Sequence, residues 1–189
     1  MFFTQAKDLA TNANIGYKGA PSGYALGSSF NYQPSNFNQN LAKAPLKDLI
    51  MTYSEVQFIL AELSFKGIIT GNTQTYYENG VKSIIEQWGA TVPSNYFTNA
   101  NVAYNGTFER IMLQKYISLF FVDHQQWYEY RRTGFPVLPN NGGPQNNGQM
   151  PVRFMYPTQT KVMNTANYNA AVQAMGGDNI NVKMWWNKP

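Results

Sequence analysis

The stretch "LIMTYSEVQFILAELSFK", Leu49 to Lys66, decides how the rest of the chain reads. Apolar residues fall at Leu49, Tyr53, Val56, Leu60 and Leu63, spaced 4-3-4-3, and that is one face of a helix. Met51, Phe58 and Phe65, each seven apart, make a second stripe on the other side. Two apolar faces predict a helix inside a helical array rather than on its surface. Glu55 and Glu62 lie in the narrow gap between the stripes, poorly placed for water, and need partners. "GIITG" turns the chain. The next pattern, about Thr73 to Trp88, carries Tyr77, Val81, Ile84 and Trp88 on one stripe. Thr75-x-x-Glu78 reads as a capping box near its start and Gly89 as its C′ residue. Two such helices joined by a short turn form an antiparallel hairpin, the unit of helical repeats.

Outward from the hairpin, periodicity predicts one long helix from about Thr107 to Arg132, ~39 Å at 1.5 Å per residue. Its middle, "MLQKYISLFFV", is apolar nearly all round. It closes on "WYEYRRTGFP", which places two of the chain's four arginines in the last turn, where they complement the helix dipole. Successive helix residues point ~100° apart. One of Arg131 and Arg132 is therefore expected to meet a glutamate or backbone carbonyls of the neighbouring helix, and the other to stay in solvent. A short helix is expected from Thr165 to Met175, stopped by Gly176-Gly177. The remainder is irregular. Residues 1–48 are dense in Gly, Pro, Ser and Asn, residues 92–106 are rich in aromatics and Asn, and "PNNGGPQNNGQM" (139–150) should be an exposed, little-packed loop. The expected organisation is a single domain over 1–189. It comprises a loop-rich segment (1–48), a helical core (49–138), and a loop, short helix and tail (139–189).

Composition narrows the function. Aromatics make up 15% of the 189 residues, and 22 Asn and 13 Gln stand against only 10 acidic residues. A surface of amides and tyrosines hydrogen-bonds and stacks on neutral polar ligands without needing charge. The net charge is +4, but the basic residues are scattered, and no stripe for nucleic acid forms. No cysteine is present and histidine occurs once, so thiolate sites and His-rich zinc sets are excluded. No apolar run reaches the ~18 residues of a membrane span. The start "MFFTQAKDLATNAN" has no signal-peptide pattern. No G-x-S-x-G, P-loop or G-x-G-x-x-G motif occurs. Glu55 and Glu62 would stand ~10 Å apart along a helix between packing faces, a better position for structural partners than for catalysis. His124 beside Asp123 reads as a surface or packing residue. No catalytic residue, metal site or cofactor is expected.

The aromatic-Asn loops are the candidate ligand surface, with rings for the pyranose face and amides for its hydroxyls. The residues singled out are Tyr17, Tyr24, Asn31, Tyr32, Asn36 and Phe37 in the first loop, and Tyr96 and Asn99 in the second. The competing reading of these rings is local packing that pins a long loop.

Three stretches carry a family resemblance. "MTYSEVQFILAELSFKG…YYENGVKSIIEQWG" resembles the helical hairpin of the SusD/RagB family of outer-membrane nutrient-binding lipoproteins. "ERIMLQKYISLFFVDHQQWYEYRRTGFPVL" resembles its long helix with the RRTG-P ending. "MPVRFMYPTQTKVMNTANYNAAVQAMGGDNINVKMWW" is similar to its C-terminal segment, and "YKGAPSG" to the loop before the hairpin. The resemblance implies a mainly α, tetratricopeptide-like superhelix with long irregular loops. It further implies a non-enzymatic, cell-surface glycan- or nutrient-binding protein that delivers oligosaccharide to a SusC-like TonB-dependent outer-membrane transporter. Family members are longer and lipid-anchored through an N-terminal Cys absent from this chain, so the chain is expected to be a C-terminal portion. No binding residue is carried over from the family. The alternative function is a helical-repeat module for a protein or peptide ligand, and a glycosidase fragment comes third.

Overall fold

The computed structural model describes residues 2–20, 24, 27–43, 48–139 and 146–187. The chain divides into two compact units, Lys47–Val137 and a loop-rich unit formed by Met1–Leu46 with Leu138–Pro189.

In the helical unit, α1 spans Tyr53–Phe65 and α2 spans Thr73–Gln87. The first helix starts where it does because the Thr52 hydroxyl accepts the Glu55 backbone N–H at 3.1 Å. The second is capped by Asn72, whose Oδ1 accepts from Thr75 N at 2.9 Å. The capping box expected at Thr75 and Glu78 is therefore displaced by three residues, and Glu78 instead accepts from Gln74 Nε2. The two helices cross closely at Gly80. A Cβ there would lie 2.9 Å from the Phe58 ring, and the Gly80 carbonyl accepts from Ser54 Oγ at 2.7 Å. Phe58, Ala61, Tyr77, Val81, Ile111 and Met112 form the core.

The buried face of α1 is Ser54, Gln57, Phe58 and Ala61 with Glu55 and Glu62. The expectation of two packed apolar faces does not hold. Tyr53 is 62% exposed, and Met51, Val56 and Phe65 are exposed as well.

The long helix expected over 107–132 is two helices, α3 (Phe108–Ser118) and α4 (Gln125–Thr133). Between them Phe121 and Asp123 take positive φ, 71° and 41°, left-handed backbone that ends an α-helix. The reversal buries Leu119 and Val122 and brings Phe121 against Trp88. Its consequence is electrostatic. In a continuous helix Lys115 and Glu129 would be ~21 Å apart along the axis, whereas here Lys115 Nζ donates to Glu129 Oε2 at 2.7 Å.

The fold-back also answers the question of the paired arginines. Arg132 grips Glu62 with both ends of its guanidinium, Nη1 to Oε1 at 2.7 Å and Nη2 to Oε2 at 2.6 Å. It also donates to Glu129 through Nε and Nη2. Lys66 adds a second cation at 2.5 Å from Glu62. Burial alone would raise the Glu62 carboxyl. The bonds and charges of Arg132 and then Lys66 outweigh it and hold the group at about 2. Glu129 is depressed by the same balance of burial against Arg132 and Lys115. Glu55 is the opposite case. Burial raises it, the Lys115 charge opposing, and its Oε2 has no hydrogen-bond partner among the described residues. Arg131 lays its guanidinium over the Trp127 ring, 4.6 Å from the centroid. The two arginines therefore differ in their partners, but the expectation that the second stays in solvent does not hold: Arg131 is half-buried, and Arg132, which grips the glutamates, is the more exposed of the two.

In the loop-rich unit, β1 (Lys7–Asp8) pairs antiparallel with β2 (Tyr32–Gln33), Lys7 opposite Gln33 and Asp8 opposite Tyr32. An isolated bridge between Phe3 and Phe37 continues the same register, and another joins Lys7 to Asn14. The C-terminal part carries α5 (Thr158–Met163), which the sequence did not announce, and α6 (Thr165–Met175), which it placed at the observed residues. Asp178 anchors this part. Its nearly buried carboxylate accepts from Arg153 Nη2, Lys161 Nζ, Tyr168 Oη and the Tyr156 backbone N–H. Half of the loop expected at 139–150, residues 140–145, lies outside the described residues. At its far end Asn146 exchanges side-chain amide hydrogen bonds with Asn181 at 2.6 and 2.7 Å, so that end is anchored.

Candidate functional site

The β1–β2 ladder supplies the site. Thr4 N donates to Asn36 O at 2.8 Å, the Thr4 hydroxyl accepts from Asn36 N, and Asn38 N donates to Phe2 O. Along paired strands, side chains alternate between faces. Ala6 and Tyr32 go to the buried face, at 0% and 7% exposure, leaving Gln5, Lys7 and Gln33 on the other. A groove of about 440 Å³ runs over this region, lined by Thr4, Gln5, Lys7, Gln33, Pro34, Asn36, Phe37, Asn38 and Gln39. Its polar groups are amides, one hydroxyl and one ammonium, and Phe37 gives it a half-buried aromatic ring. None of these residues is a carboxylic acid. Such a lining can donate to and accept from hydroxyls but offers no acid pair for glycoside cleavage. Among the described residues no group of three or more His, Asp or Glu is placed to hold a metal.

The residues singled out by sequence scatter over both units. Asn36 and Phe37 line the groove. The Asn36 side chain accepts its neighbour's N–H, from Phe37 at 2.9 Å. Tyr24 and Tyr17 are exposed, and Tyr24 sits edge-on to Phe30 at 5.2 Å. Asn31 is exposed while its carbonyl accepts from Leu9 N. Tyr32 was expected as an exposed ring and is not. It is buried, donates its hydroxyl to Gly19 O at 3.0 Å and carries Lys18 Nζ over its ring. Tyr96 likewise is half-buried against the helical core, edge-on to Phe97, and Asn99 uses its Oδ1 to accept from Asn101 N. The 92–106 segment is thus held by the core. Tyr77 Oη donates to Val102 O, and Arg110 donates to the carbonyls of Ala100 and Asn101.

Sequence reasoning missed Thr4, Gln5, Lys7, Gln33 and Gln39. The amide-rich run 31–40 was visible, but its partner strand was not, because nothing local in "FFTQAKD" states which distant segment it pairs with.

A family model described as SusD-like, starch-binding and associating with the outer membrane, matches residues 1–157. Among solved structures, a SusD homologue from Bacteroides thetaiotaomicron is 26% identical with a TM-score of 0.80, covering 100% of this chain and 48% of its own. A chitin-binding protein is 31% identical with a TM-score of 0.71, covering 82% of this chain and 37% of its own. An outer membrane protein of Bacteroides vulgatus, described as probably involved in nutrient binding, is 28% identical with a TM-score of 0.70, covering 82% and 38%. The chain spans less than half the length of these structures. No match was found among curated proteins. The mainly α, tetratricopeptide-like fold class is the one these relatives share. Among the described residues no helix is long and apolar enough to cross a membrane.

Proposed function

Because this chain belongs to the SusD-like family, we propose that it is a non-catalytic carbohydrate-binding protein of the outer-membrane surface, which captures oligosaccharide and passes it to a SusC-like TonB-dependent transporter. The observation that carries the reading is the groove over the β1–β2 ladder, where amides and a hydroxyl surround the Phe37 ring without any carboxylic acid. That chemistry suits a sugar, whose ring presents an apolar face and whose rim presents hydroxyls. Asn36 and Phe37 are the contacts proposed within it. The exposed Tyr17, Tyr24 and Asn31 are secondary contacts elsewhere in the same loops. Tyr32, Tyr96 and Asn99 shape the loops from behind. The family description and the chitin-binding relative support the substrate class.

Affinity electrophoresis and calorimetry of the complete expressed protein test this, with malto-oligosaccharides, chito-oligosaccharides and acidic plant oligosaccharides as the panel. Binding to at least one of them, without release of reducing sugar, is the expected result. A folded protein that binds none of the panel overturns the reading. Copurification with a SusC-like transporter tests the hand-off separately.

A further inference from the structure

The groove contains one ionisable group, Lys7, and its circumstances differ from those of the other lysines. Four described lysines are buried or half-buried: Lys7, Lys82, Lys115 and Lys161. Three of them are matched by carboxylates, Lys82 by Glu78 at 3.7 Å, Lys115 by Glu129 at 2.7 Å and Lys161 by Asp178 at 3.1 Å. Lys7 has no such partner among the described residues. Half-buried in the groove wall, it presents a charge that no carboxylate of the described residues neutralises.

The position is also rigid. Lys7 pairs through its backbone with Gln33 on one side and bridges to Asn14 on the other, so its Cα is fixed from both flanks. The neighbouring acid is already committed. Asp8 points to the opposite face, and its Oδ1 accepts from Ala10 N, Thr11 N and the Thr11 hydroxyl. Along the same groove, Gln5, Gln33 and Gln39 offer neutral N–H donors, which can complete the hydrogen bonding of an anion that Lys7 has drawn in.

We propose that this groove selects oligosaccharides bearing an anionic group, a uronate carboxylate or a sulfate ester, with the Lys7 ammonium as its charge partner. The proposal rests on the carbohydrate-binding reading and narrows its substrate class from neutral to acidic glycans.

The test compares oligogalacturonate with its methyl ester, which keeps the sugar and removes the charge. A sulfated galactan oligosaccharide and its desulfated form make the second arm. The acid, or the sulfate, should bind about fivefold more tightly than its neutral counterpart, the scale of one ~1 kcal/mol partly exposed ion pair. The preference should shrink as salt is added. Lys7→Met should abolish it, the charged and neutral forms then binding equally whatever the absolute affinity, and Lys183→Met, an exposed lysine elsewhere with the same change in net charge, should leave it intact. Equal binding of charged and neutral forms overturns the proposal, as does a preference that survives in Lys7→Met. If only neutral malto- or chito-oligosaccharides bind, this proposal falls and the carbohydrate-binding reading stands. If nothing on the panel binds, both fall.

Discussion

The helical unit and the loop-rich N-terminal segment solve the same problem, ordering a chain rich in amides and aromatics, in different ways. In the helical unit the long-range ties are made by side chains. Glu62, on α1, is held by Arg132 from α4, seventy positions later, and Glu129 is shared between Lys115 and Arg132. In the segment 2–38 the long-range ties are mostly backbone bonds, Thr4 to Asn36, Leu9 to Asn31 and Asn38 to Phe2. The difference governs what is left for ligands. Where side chains do the tying, the charged ones are used up. Where the backbone does it, side chains such as Gln5, Lys7 and Gln33 remain turned into a groove.

The sharpest way to break this contrast is at Arg132. Arg132→Ala leaves Glu62, whose side chain is 8% exposed, with Lys66 as its remaining cation, although the Arg132 side chain itself is 43% exposed. The expected cost is about 3 kcal/mol, the low end for breaking a buried pair, or roughly 6–12 °C in melting temperature for a chain of this size. Arg131→Ala loses the stacking on Trp127 and breaks no ion pair with Glu62, so it should cost less, about 1 kcal/mol. Thermal denaturation of the two variants side by side checks this. Equal, mild losses would mean that Glu62 does not depend on Arg132.

Acid addresses the same network without mutation. The Glu62 carboxyl ordinarily titrates near 4.5 and is held at about 2 in the fold. A depressed carboxylate stabilises the folded state above its unfolded value, and the contribution is lost as pH falls toward the folded one. Stability should therefore decline between about pH 4.5 and 2, by roughly 3 kcal/mol from this residue. Glu55 runs the other way. Its folded value is raised, so its contribution is present at low pH and is lost as pH rises through that value. Glu55→Gln should accordingly cost far less than Glu62→Gln at neutral pH, as denaturant titration of the two will show.

A packing test of intermediate size lies at the α1–α2 crossing. Gly80→Ala would push a methyl to 2.9 Å from the buried Phe58 ring. Overpacking costs ~1–3 kcal/mol against ~1 kcal/mol recovered in helix propensity. A net loss of about 1 kcal/mol is expected by chemical denaturation, and a gain would show that the ring moves aside freely.

The smallest expected effects are in the loops. Tyr32→Phe removes one hydrogen bond, to Gly19 O, worth ~0.5–1.5 kcal/mol. Tyr24→Ala, at an exposed ring, should change stability by less than ~0.5 kcal/mol. If Tyr24→Ala were as damaging as Arg132→Ala, the loops would be tied by side chains after all.

Much of the helical unit was legible in the sequence because its signals are local. The 3.6-residue period placed α1 and α2 within a few residues, and Gly89 and Gly176 marked helix ends. The positions of Glu55 and Glu62 among apolar neighbours announced that they needed partners, and the basic last turn offered a donor without saying which arginine or which glutamate; the structure pairs Arg132 with Glu62. Local signals misled where punctuation was missing. No glycine or proline interrupts 107–132, so the chain reads as one helix, yet Phe121 and Asp123 adopt left-handed backbone. That conformation carries a local cost, offset by burying Leu119 and Val122 and by closing the ion network, gains that exist only once α3 and α4 lie against α1 and α2. Nor did the 4-3-4-3 stripe say which apolar face of α1 would be packed. The side of α1 that meets Gly80 is set by its partner helix.

The groove belonged wholly to the tertiary structure. Residues 2–9 carry no marker that they pair with 31–38, and strand register depends on a partner elsewhere in the chain rather than on neighbours in sequence. The sequence by itself determined α1, α2 and α6, an amide- and aromatic-rich composition, and the glutamates that needed partners. Tertiary pairing decided that Tyr32 turns inward, that Lys7 turns outward with no carboxylate partner among the described residues, and hence that a groove forms over the ladder, because contacts between distant segments leave no period in the residues that make them.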